Sequence, residues 1–458
     1  MVGNRHCGTL SLLPAMAACL LAFSCVSVVH DTGQGPMDET QDPPEGESPH
    51  DTAYVESLYV TGVEFPSGYD WSAGEPPLDG TPCVLFLMSG GEKVLELPVG
   101  ESSRISADKS RHRCVAGHLY TDYADETGTV VMCDGREVFS YDSPERLVSF
   151  SVTDDGIYTL GVPDGGGCGL CLRLDGKVLY ADRNARVLSP LHEDCGKQCF
   201  SFWTWTCPED SRGAPANPSP AQPRTFYMYC GGRLKEIVST GGSAGRYGTS
   251  GCTCGCLLPV DGVKDVFAAE MHGNRPVCIY SQELYENRDR YSVYDGRYPN
   301  ILQTYKYNRL SMCRIMRGRD RLFVYGELNY SYDRLKTPFV WTLDGVEHVT
   351  FNEYKQSYCT LVSGNDIYSF IGYQSYPPSV TLYRNGERMW TYSSGIGVPS
   401  SDAAVVHEGK VYLVFTDIRR QNIPCLAVDE DVTDYGFNGY FTGIYVCRSP
   451  RDRNDAGA

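Results

Sequence analysis

The sequence predicts an all-β protein in which most of the 458 residues form one β-propeller of seven or eight four-stranded antiparallel blades. Three observations support this fold class. Turn dipeptides such as Asn-Gly and Asp-Gly recur between short runs of β-branched and aromatic residues. A second marker precedes several of these turns at a constant distance. Outside the N-terminal segment, the sequence shows no sustained helical repeat of apolar residues.

One stretch, Leu361–Tyr392, shows the repeating unit most clearly. Asn385-Gly386 lies between Val380–Arg384 and Glu387–Tyr392. This dipeptide favours a type I′ hairpin, because both central positions of that turn need a positive φ. Two further strands are predicted before the hairpin, on either side of Gly364-Asn365. Four short antiparallel strands repeated in tandem are typical of propeller blades.

Equivalent turns recur along the chain at blade-sized intervals. They are predicted at Gly90-Gly91, Asp134-Gly135, Asp175-Gly176, Gly231-Gly232, Ser281-Gln282, Asp344-Gly345, Asn385-Gly386 and Asp429-Glu430. The intervals between their first residues are 44, 41, 56, 50, 63, 41 and 44 residues. The shorter intervals match the roughly 40 to 50 residues of a four-stranded blade. We therefore expect about eight units, with residues 53–447 forming a single ring.

The second marker is a short group that ends in tyrosine. Gly156-Ile-Tyr158, Asp366-Ile-Tyr368 and Lys410-Val-Tyr412 each place the tyrosine 17 residues before the turn that follows. Two markers kept in phase indicate a genuine structural repeat. A β-solenoid would need more uniform repeat lengths, and a set of β-sandwiches would not keep one blade-length period, so both alternatives are weaker.

Residues 1–25 are predicted to form a signal peptide. Arg5 precedes an apolar run, Leu10–Phe23, that is too short to span a membrane comfortably. The segment ends in Leu21-Ala-Phe-Ser-Cys25, which resembles the lipobox of bacterial lipoproteins, and its Phe-Ser-Cys ending is similar to signals of Bacteroidota lipoproteins. That resemblance implies fatty acylation of Cys25 and an anchor in the outer membrane, with the periplasmic or surface face left open. The alternatives are acylation at Cys19 and an ordinary cleaved secretory peptide.

Residues 26–52 are predicted to form a disordered tether. Between Asp31 and Asp51 lie seven acidic residues, four prolines and no lysine or arginine, so this segment cannot bury enough apolar surface to fold. Residues 448–458 are predicted to be a disordered C-terminal tail. The formal charge of −17 leaves the ring acidic, which argues against nucleic acid as a partner and against binding to anionic lipid head groups.

Aromatic residues are the clearest compositional indication of function. The sequence contains 32 Tyr, 16 Phe and 5 Trp. Exposed aromatic rings in or beside insertions are able to stack on sugars or bind peptide. The candidate ligand-binding residues are Trp71, Trp203, Trp205, Tyr294 and Tyr298. The structural alternative is that β-strands simply favour aromatic side chains.

The sequence contains short motifs that resemble catalytic or metal sites, but their surroundings do not support those functions. Gly241-Gly-Ser-Ala-Gly245 matches a hydrolase elbow, but no helix is predicted after it. Cys168-Gly-Leu-Cys171 lacks the helix N-terminus that thiol redox catalysis needs. Disulfides are expected among cysteines 195, 199, 207, 252, 254 and 256, with a thiolate metal site or free buried thiols as alternatives. We therefore predict neither a cofactor nor a metal ion.

These observations favour a monomeric, lipid-anchored propeller of the cell envelope that binds a glycan or a protein, with no catalysis evident. The sequence resembles propeller lipoproteins of Bacteroidota, and this resemblance brings no functional residue with it. One alternative is a carbohydrate-active hydrolase or lyase, which would need a pair of carboxylates at the mouth of the ring. The other alternative is a structural subunit of an outer-membrane complex.

Overall fold

The computed structural model of the protein is a β-propeller with eight blades, which confirms the predicted fold class. The structure describes residues 54–71, 81–100, 111–163, 169–205, 223–240, 256–260, 262–284, 288–306, 308–330, 336–343, 347–350, 355–373, 379–392, 396–397 and 401–450. Cys25, the tether and residues 451–458 lie outside this part of the chain. So do the motif at 241–245 and cysteines 168, 207, 252 and 254.

The first four blades are four-stranded antiparallel sheets. Blade 1 contains β1 (Tyr54–Glu64), β2 (Cys83–Ser89), β3 (Glu92–Val99) and β33 (Gly439–Pro450). Blade 2 contains β4 (Arg111–Val115), β5 (His118–Asp125), β6 (Gly128–Cys133) and β7 (Arg136–Tyr141). Blade 3 contains β8 (Glu145–Thr153), β9 (Gly156–Pro163), β10 (Leu170–Leu174) and β11 (Lys177–Asp182). Blade 4 contains β12 (Ala185–Asp194), β13 (Lys197–Trp205), β14 (Arg224–Cys230) and β15 (Arg233–Thr240).

The last four blades continue the same order, and blade 8 has a divided innermost strand. Blade 5 contains β16 (Val263–His272), β17 (Arg275–Leu284), β18 (Arg288–Tyr294) and β19 (Pro299–Lys306). Blade 6 contains β20 (Asn308–Arg317), β21 (Leu322–Tyr330), β22 (Lys336–Thr342) and β23 (Glu347–Thr350). Blade 7 contains β24 (Lys355–Ser363), β25 (Asp366–Tyr373), β26 (Ser379–Arg384) and β27 (Glu387–Tyr392). Blade 8 contains β28 (Ile396–Gly397), β29 (Ala404–His407), β30 (Lys410–Asp417), β31 (Ile423–Val428) and β32 (Asp431–Asp434).

Helical structure is minimal in the described part of the chain. Two short 3₁₀ turns, Ser401–Ala403 and Ile418–Arg420, both belong to blade 8. No helix among the described residues has the length and apolar character needed to cross a membrane.

Blade 1 closes the ring because its innermost strand comes from the C-terminal end of the chain. β33 pairs with β1 along its whole length, from Tyr54 opposite Pro450 to Glu64 opposite Gly439. Buried apolar clusters then join blade to blade around the circle. The cluster that contains Phe86 of blade 1 also contains residues of blades 7 and 8, and six further clusters each span two neighbouring blades. The core is therefore a continuous series of interfaces between sheets.

A two-way hydrogen bond explains why the tyrosine marker keeps a fixed distance from the outer turn. In four blades the first turn residue has a positive φ, and its side chain accepts a backbone N–H at 2.8–2.9 Å. The pairs are Asp134 with Leu119, Asp175 with Ile157, Asn385 with Ile367, and Asp429 with Val411. The backbone N–H of each turn residue donates back to the carbonyl of the same partner. Three of these partners are the middle residues of the marker, so the spacing is set by one hairpin.

The predicted turn at Ser281-Gln282 is wrong. Both residues lie within β17, where Ser281 pairs with Tyr291 of β18. The outer turn of blade 5 is formed by residues 295–298 instead, because the long connection between β15 and β16 shifts this blade along the chain. The predicted turn at Asp344-Gly345 lies outside the described residues, and β22 and β23 pair on either side of it.

Candidate functional site

Strand order places the connections of each blade on two opposite faces of the ring. Successive strands run in opposite directions, so the turns between the first and second strands and between the third and fourth share one face, here called the turn face. The remaining connections lie on the other face, here called the loop face. Trp71, Trp203 and Trp205 lie toward the loop face, whereas Tyr294 and Tyr298 lie at the turn face. The structure therefore does not bring the five candidate residues into one site.

Trp71 is half-buried and joins the loop after β1 to the C-terminal strand. Its indole Nε1 donates to Asn438 Oδ1 at 3.1 Å, and its ring centroid lies 5.1 Å from that of Tyr440. Asn422 Nδ2 donates to the Trp71 carbonyl at 2.9 Å. Because Asn438 immediately precedes β33, these contacts support closure of the ring.

Trp203 and Trp205 pack against each other in β13, with ring centroids 5.0 Å apart. The Arg186 guanidinium lies over both rings, at 5.9 and 5.6 Å, and that of Arg224 lies 5.4 Å from Trp203. Arg224 also forms an ion pair of 3.1 Å with Asp265 of blade 5. Trp205 is 4% exposed. These indoles already have cationic partners within the protein, so a sugar stacking here would have to displace an arginine.

The two tyrosines differ sharply in exposure. Tyr294 is 8% exposed in the cluster shared by blades 4 and 5, and burial raises the pKa of its phenol. Tyr298 is 71% exposed. Its turn is held by Asp295, whose carboxylate accepts the N–H groups of Arg297 and Tyr298 at 2.8 Å. Tyr298 thus presents the most open side chain of the five candidates, and ligand binding by this set stays a prediction.

Each buried carboxylate in the described part of the chain has a partner within the protein. Three of them form ion pairs with arginines: Asp122 with Arg113 at 2.5 Å, Glu145 with Arg173 at 2.7 Å, and Glu270 with Arg317 at 3.7 Å. Asp194 accepts hydrogen bonds from the backbone N–H groups of Gly273 and Asn274. Glu327 accepts a hydrogen bond from the Tyr325 hydroxyl. Burial raises the pKa of Asp122, and the Arg113 guanidinium opposes that shift. The first four carboxylates join different strands or turns, which is a structural use of their charge, whereas the bond to Glu327 lies within β21.

A repeated row of exposed apolar side chains lies on the outermost strands, and sequence reasoning missed it. In blades 1, 2, 3 and 7, a β-bulge leaves one residue of the fourth strand without a partner, four residues after the first residue of the outer turn. These bulged residues are Val94, Val138, Leu179 and Met389, which are 56%, 44%, 42% and 43% exposed. The constant offset from the turn is the sequence signal that could have found them.

The exposed apolar residues of blades 1 to 3 lie on the outermost strands of three consecutive blades. Gly135 of the blade 2 turn lies against the Leu97 side chain of β3, since a Cβ at Gly135 would be only 3.1 Å from it. Gly176 of the blade 3 turn lies against Phe139 of β7 in the same way, at 3.2 Å. β3 and β7 therefore each contact the outer turn of the next blade. We call the apolar residues on this arc the rim patch: Val94, Val138, Val178 and Leu179.

A polar pocket opens beside Val138 on blade 2. It is lined by His118, Cys133, Asp134, Arg136, Glu137 and Val138. His118 Nδ1 lies 2.7 Å from Asp134 Oδ2, and the possible ligand atoms of His118, Cys133 and Asp134 all lie within 4.8 Å of one another. Burial raises the pKa of the Cys133 thiol, so a metal ion would have to displace its proton. Asp134 Oδ1 is already the acceptor for the Leu119 N–H.

Comparison with known proteins provides fold likeness only. No protein-family model and no curated protein matches the chain. Among solved structures it is similar to BamB from Moraxella catarrhalis, with a TM-score of 0.42, 8% identity, and coverage of 84% of this chain and 98% of that one. It is also similar to the Dos1 propeller, with a TM-score of 0.40, 11% identity, and coverage of 83% and 95%. A Pyrococcus horikoshii acylaminoacyl peptidase gives a TM-score of 0.41 at 10% identity over 72% of this chain, which spans 52% of the peptidase. Likeness at this level bears on no functional argument.

Proposed function

We propose that this protein is a non-catalytic propeller of the cell envelope, anchored by a lipid on Cys25, and that it binds a protein partner through the rim patch. The observation that supports this proposal best is the apolar residue that the bulge turns outward on consecutive blades. A bulge on an edge strand protects that edge from pairing with other chains, and a polar residue would serve this purpose equally well. The apolar identity of the bulged residues therefore calls for a separate explanation.

The surroundings of the rim patch fit a protein interface. Exposed charged residues flank the apolar ones on the same strands, namely Glu92 and Lys93 on β3, Arg136 and Glu137 on β7, and Lys177 on β11. An apolar centre with a polar, charged border is the usual arrangement of protein–protein interfaces. Because β3 and β7 each contact the outer turn of the following blade, one partner would be able to cover several blades.

The internal contacts of the other candidates favour a protein over a sugar. The indoles of Trp203 and Trp205 face arginines, and Trp71 is fixed by Asn438. Recognition of a sugar commonly uses an aromatic face that is open to solvent. The buried carboxylates likewise have arginine, backbone or hydroxyl partners, which favours binding over glycoside hydrolysis.

Site-specific photo-crosslinking in the native host tests this proposal. A photoreactive residue replaces Val138 in the full-length chain, and a matched variant carries it at Ile301 of blade 5, which is 58% exposed. We expect Val138 to crosslink to one defined protein and Ile301 not to do so. The triple variant Val94→Lys, Val138→Lys, Leu179→Lys should then bind the purified partner at least about 10-fold more weakly, whereas Ile301→Lys should bind normally.

Three results would contradict the proposal. Equal crosslinking from Val138 and Ile301 would mean that contact with the rim patch is not specific. No crosslink from the photoreactive residue in place of Val138 would leave the patch without a partner. Binding of the full chain to a glycan array that is lost in Trp203→Ala would assign the ligand to the loop face instead.

A further inference from the structure

Two cysteines meet where the C-terminal strand packs against blade 2. Cys114 lies in β4 and Cys447 in β33, the innermost strands of neighbouring blades. Their Sγ atoms are 3.2 Å apart, and each residue is 4% exposed. They belong to a buried cluster with Leu87, Leu119 and Tyr445. The two sulfurs thus face each other across the seam between blades 1 and 2.

The environment of Cys447 favours its reactive form. The hydrogen bond between the two sulfurs lowers the pKa of Cys447, the N–H groups of Gly117 and Ala116 act in the same direction, and burial opposes them. The same contact raises the pKa of Cys114. A lowered pKa favours the thiolate of Cys447, and the thiolate is the form that attacks a disulfide.

We propose that Cys114 and Cys447 form a disulfide that fastens the C-terminal strand to blade 2. The oxidant is an external disulfide, such as that of a thiol–disulfide oxidoreductase or oxidised glutathione. The Cys447 thiolate attacks this disulfide first, forming a mixed disulfide and releasing one external thiolate, which takes the proton of Cys114. The Cys114 sulfur then attacks the Cys447 sulfur, and the second external group leaves as a thiolate and takes up the proton that Cys447 had lost. Two protein thiols lose two electrons and two protons, and the external disulfide gains both.

The position of this bond gives it a specific effect. β33 is held to β1 by hydrogen bonds and packing, whereas the other three strands of blade 1 come from the opposite end of the chain. A covalent bond from Cys447 to Cys114 would make the whole chain between them one closed loop. Opening of the ring at β33 would then require either reduction of the bond or unfolding of blade 2. This inference is independent of the partner proposed for the rim patch.

Peptide mapping of the full-length chain tests the inference. The purified protein is incubated with oxidised glutathione, denatured, alkylated without reduction and digested, and the peptides are identified by mass spectrometry. We expect one crosslinked species that contains Cys114 and Cys447, and its loss after reduction. Thermal melting should show a Tm about 5 °C higher for the oxidised than for the reduced protein. Cys114→Ser/Cys447→Ser should abolish that part of the redox-dependent shift.

Cys199→Ser/Cys230→Ser is the matched control, because it removes the disulfide within blade 4 and leaves the seam intact. In this variant the Cys114–Cys447 peptide and its Tm shift should persist. Full alkylation of both cysteines after the incubation would overturn the inference, as would a bond from either one to a different cysteine. If the double serine variant fails to fold, the peptide map of the unaltered chain still decides the question.

Discussion

Replacement of the turn residue Asp175 should separate its hydrogen bond from its charge. The carboxylate accepts the Ile157 N–H at 2.8 Å, and the residue has a φ of 47°. Asp175→Ala removes this acceptor, which costs about 1 kcal/mol, and places alanine in a left-handed conformation, which costs about another 1 kcal/mol. Asp175→Asn keeps an oxygen acceptor, and blade 7 shows that asparagine is suitable, since Asn385 makes the same bond at 2.9 Å.

The expected loss of about 2 kcal/mol can be measured in two ways. Unfolding of roughly 400 residues at about 2.1 cal/mol/K per residue has an entropy near 0.8 kcal/mol/K, so Asp175→Ala should lower the Tm by about 2–3 °C. Hydrogen exchange followed by mass spectrometry should show the peptide with the Ile157 amide exchanging at least about 10-fold faster. Asp175→Asn should match the unaltered protein in both assays. Unchanged exchange in Asp175→Ala, or equal destabilisation by both variants, would refute the role given to this hydrogen bond.

Three further predictions concern different parts of the protein. Burial lowers the pKa of His112 to about 4 from 6.5, so the neutral imidazole is fully compatible with the fold above pH 6.5. As the pH drops from 6.5 to 4, the unfolded state binds a proton that the folded state does not, and the unfolding free energy falls by up to about 3 kcal/mol. In denaturant titrations across that range, His112→Gln should lose less unfolding free energy than the unaltered protein. Arg173→Met leaves the Glu145 carboxylate buried without its guanidinium and should lower the unfolding free energy by about 3–5 kcal/mol, whereas the double change with Glu145→Gln should recover part of that loss. Cys25→Ser should abolish incorporation of a labelled fatty acid and release the protein from the membrane fraction, and unchanged membrane retention would contradict the predicted anchor.

The sequence could predict the blades because each outer turn needs residues of a distinctive kind. Asp175 and Asn385 adopt positive φ with a glycine after them, and few other residues do so at low cost. Blade 5 lacks such a dipeptide at the expected distance, and regular spacing pointed to Ser281, which lies inside a strand. The true turn begins at Asp295, displaced by the longer connection before the blade. Regular spacing therefore predicts a turn less well than local backbone chemistry does.

Two other features could not be obtained from a periodic pattern. A repeat looks the same wherever the circle is cut, so spacing alone does not reveal that β33 supplies the inner strand of blade 1. The environment of a tryptophan is equally hidden. Trp203 and Trp205 lie on β13, which pairs with β12 on one side and β14 on the other. That register places Arg186 of β12 and Arg224 of β14 over the indole rings, although these residues are well separated in the sequence. Whether these tryptophans present an open aromatic surface is therefore decided by the residues on the neighbouring strands.

The outer hairpin thus combines a structural requirement with a free choice of side chain. Positive φ and the hydrogen bond to the second strand account for Asp134 and Gly135 in the turn of blade 2. The bulge that follows leaves the residue at position 138 unpaired and exposed, and such a position accommodates any side chain. Backbone geometry therefore does not explain why valine stands there, nor why Val94 and Leu179 stand at the same offset in the adjoining blades. Burial against the proposed partner would explain it, because each of these side chains would gain the free energy of leaving water only in the complex.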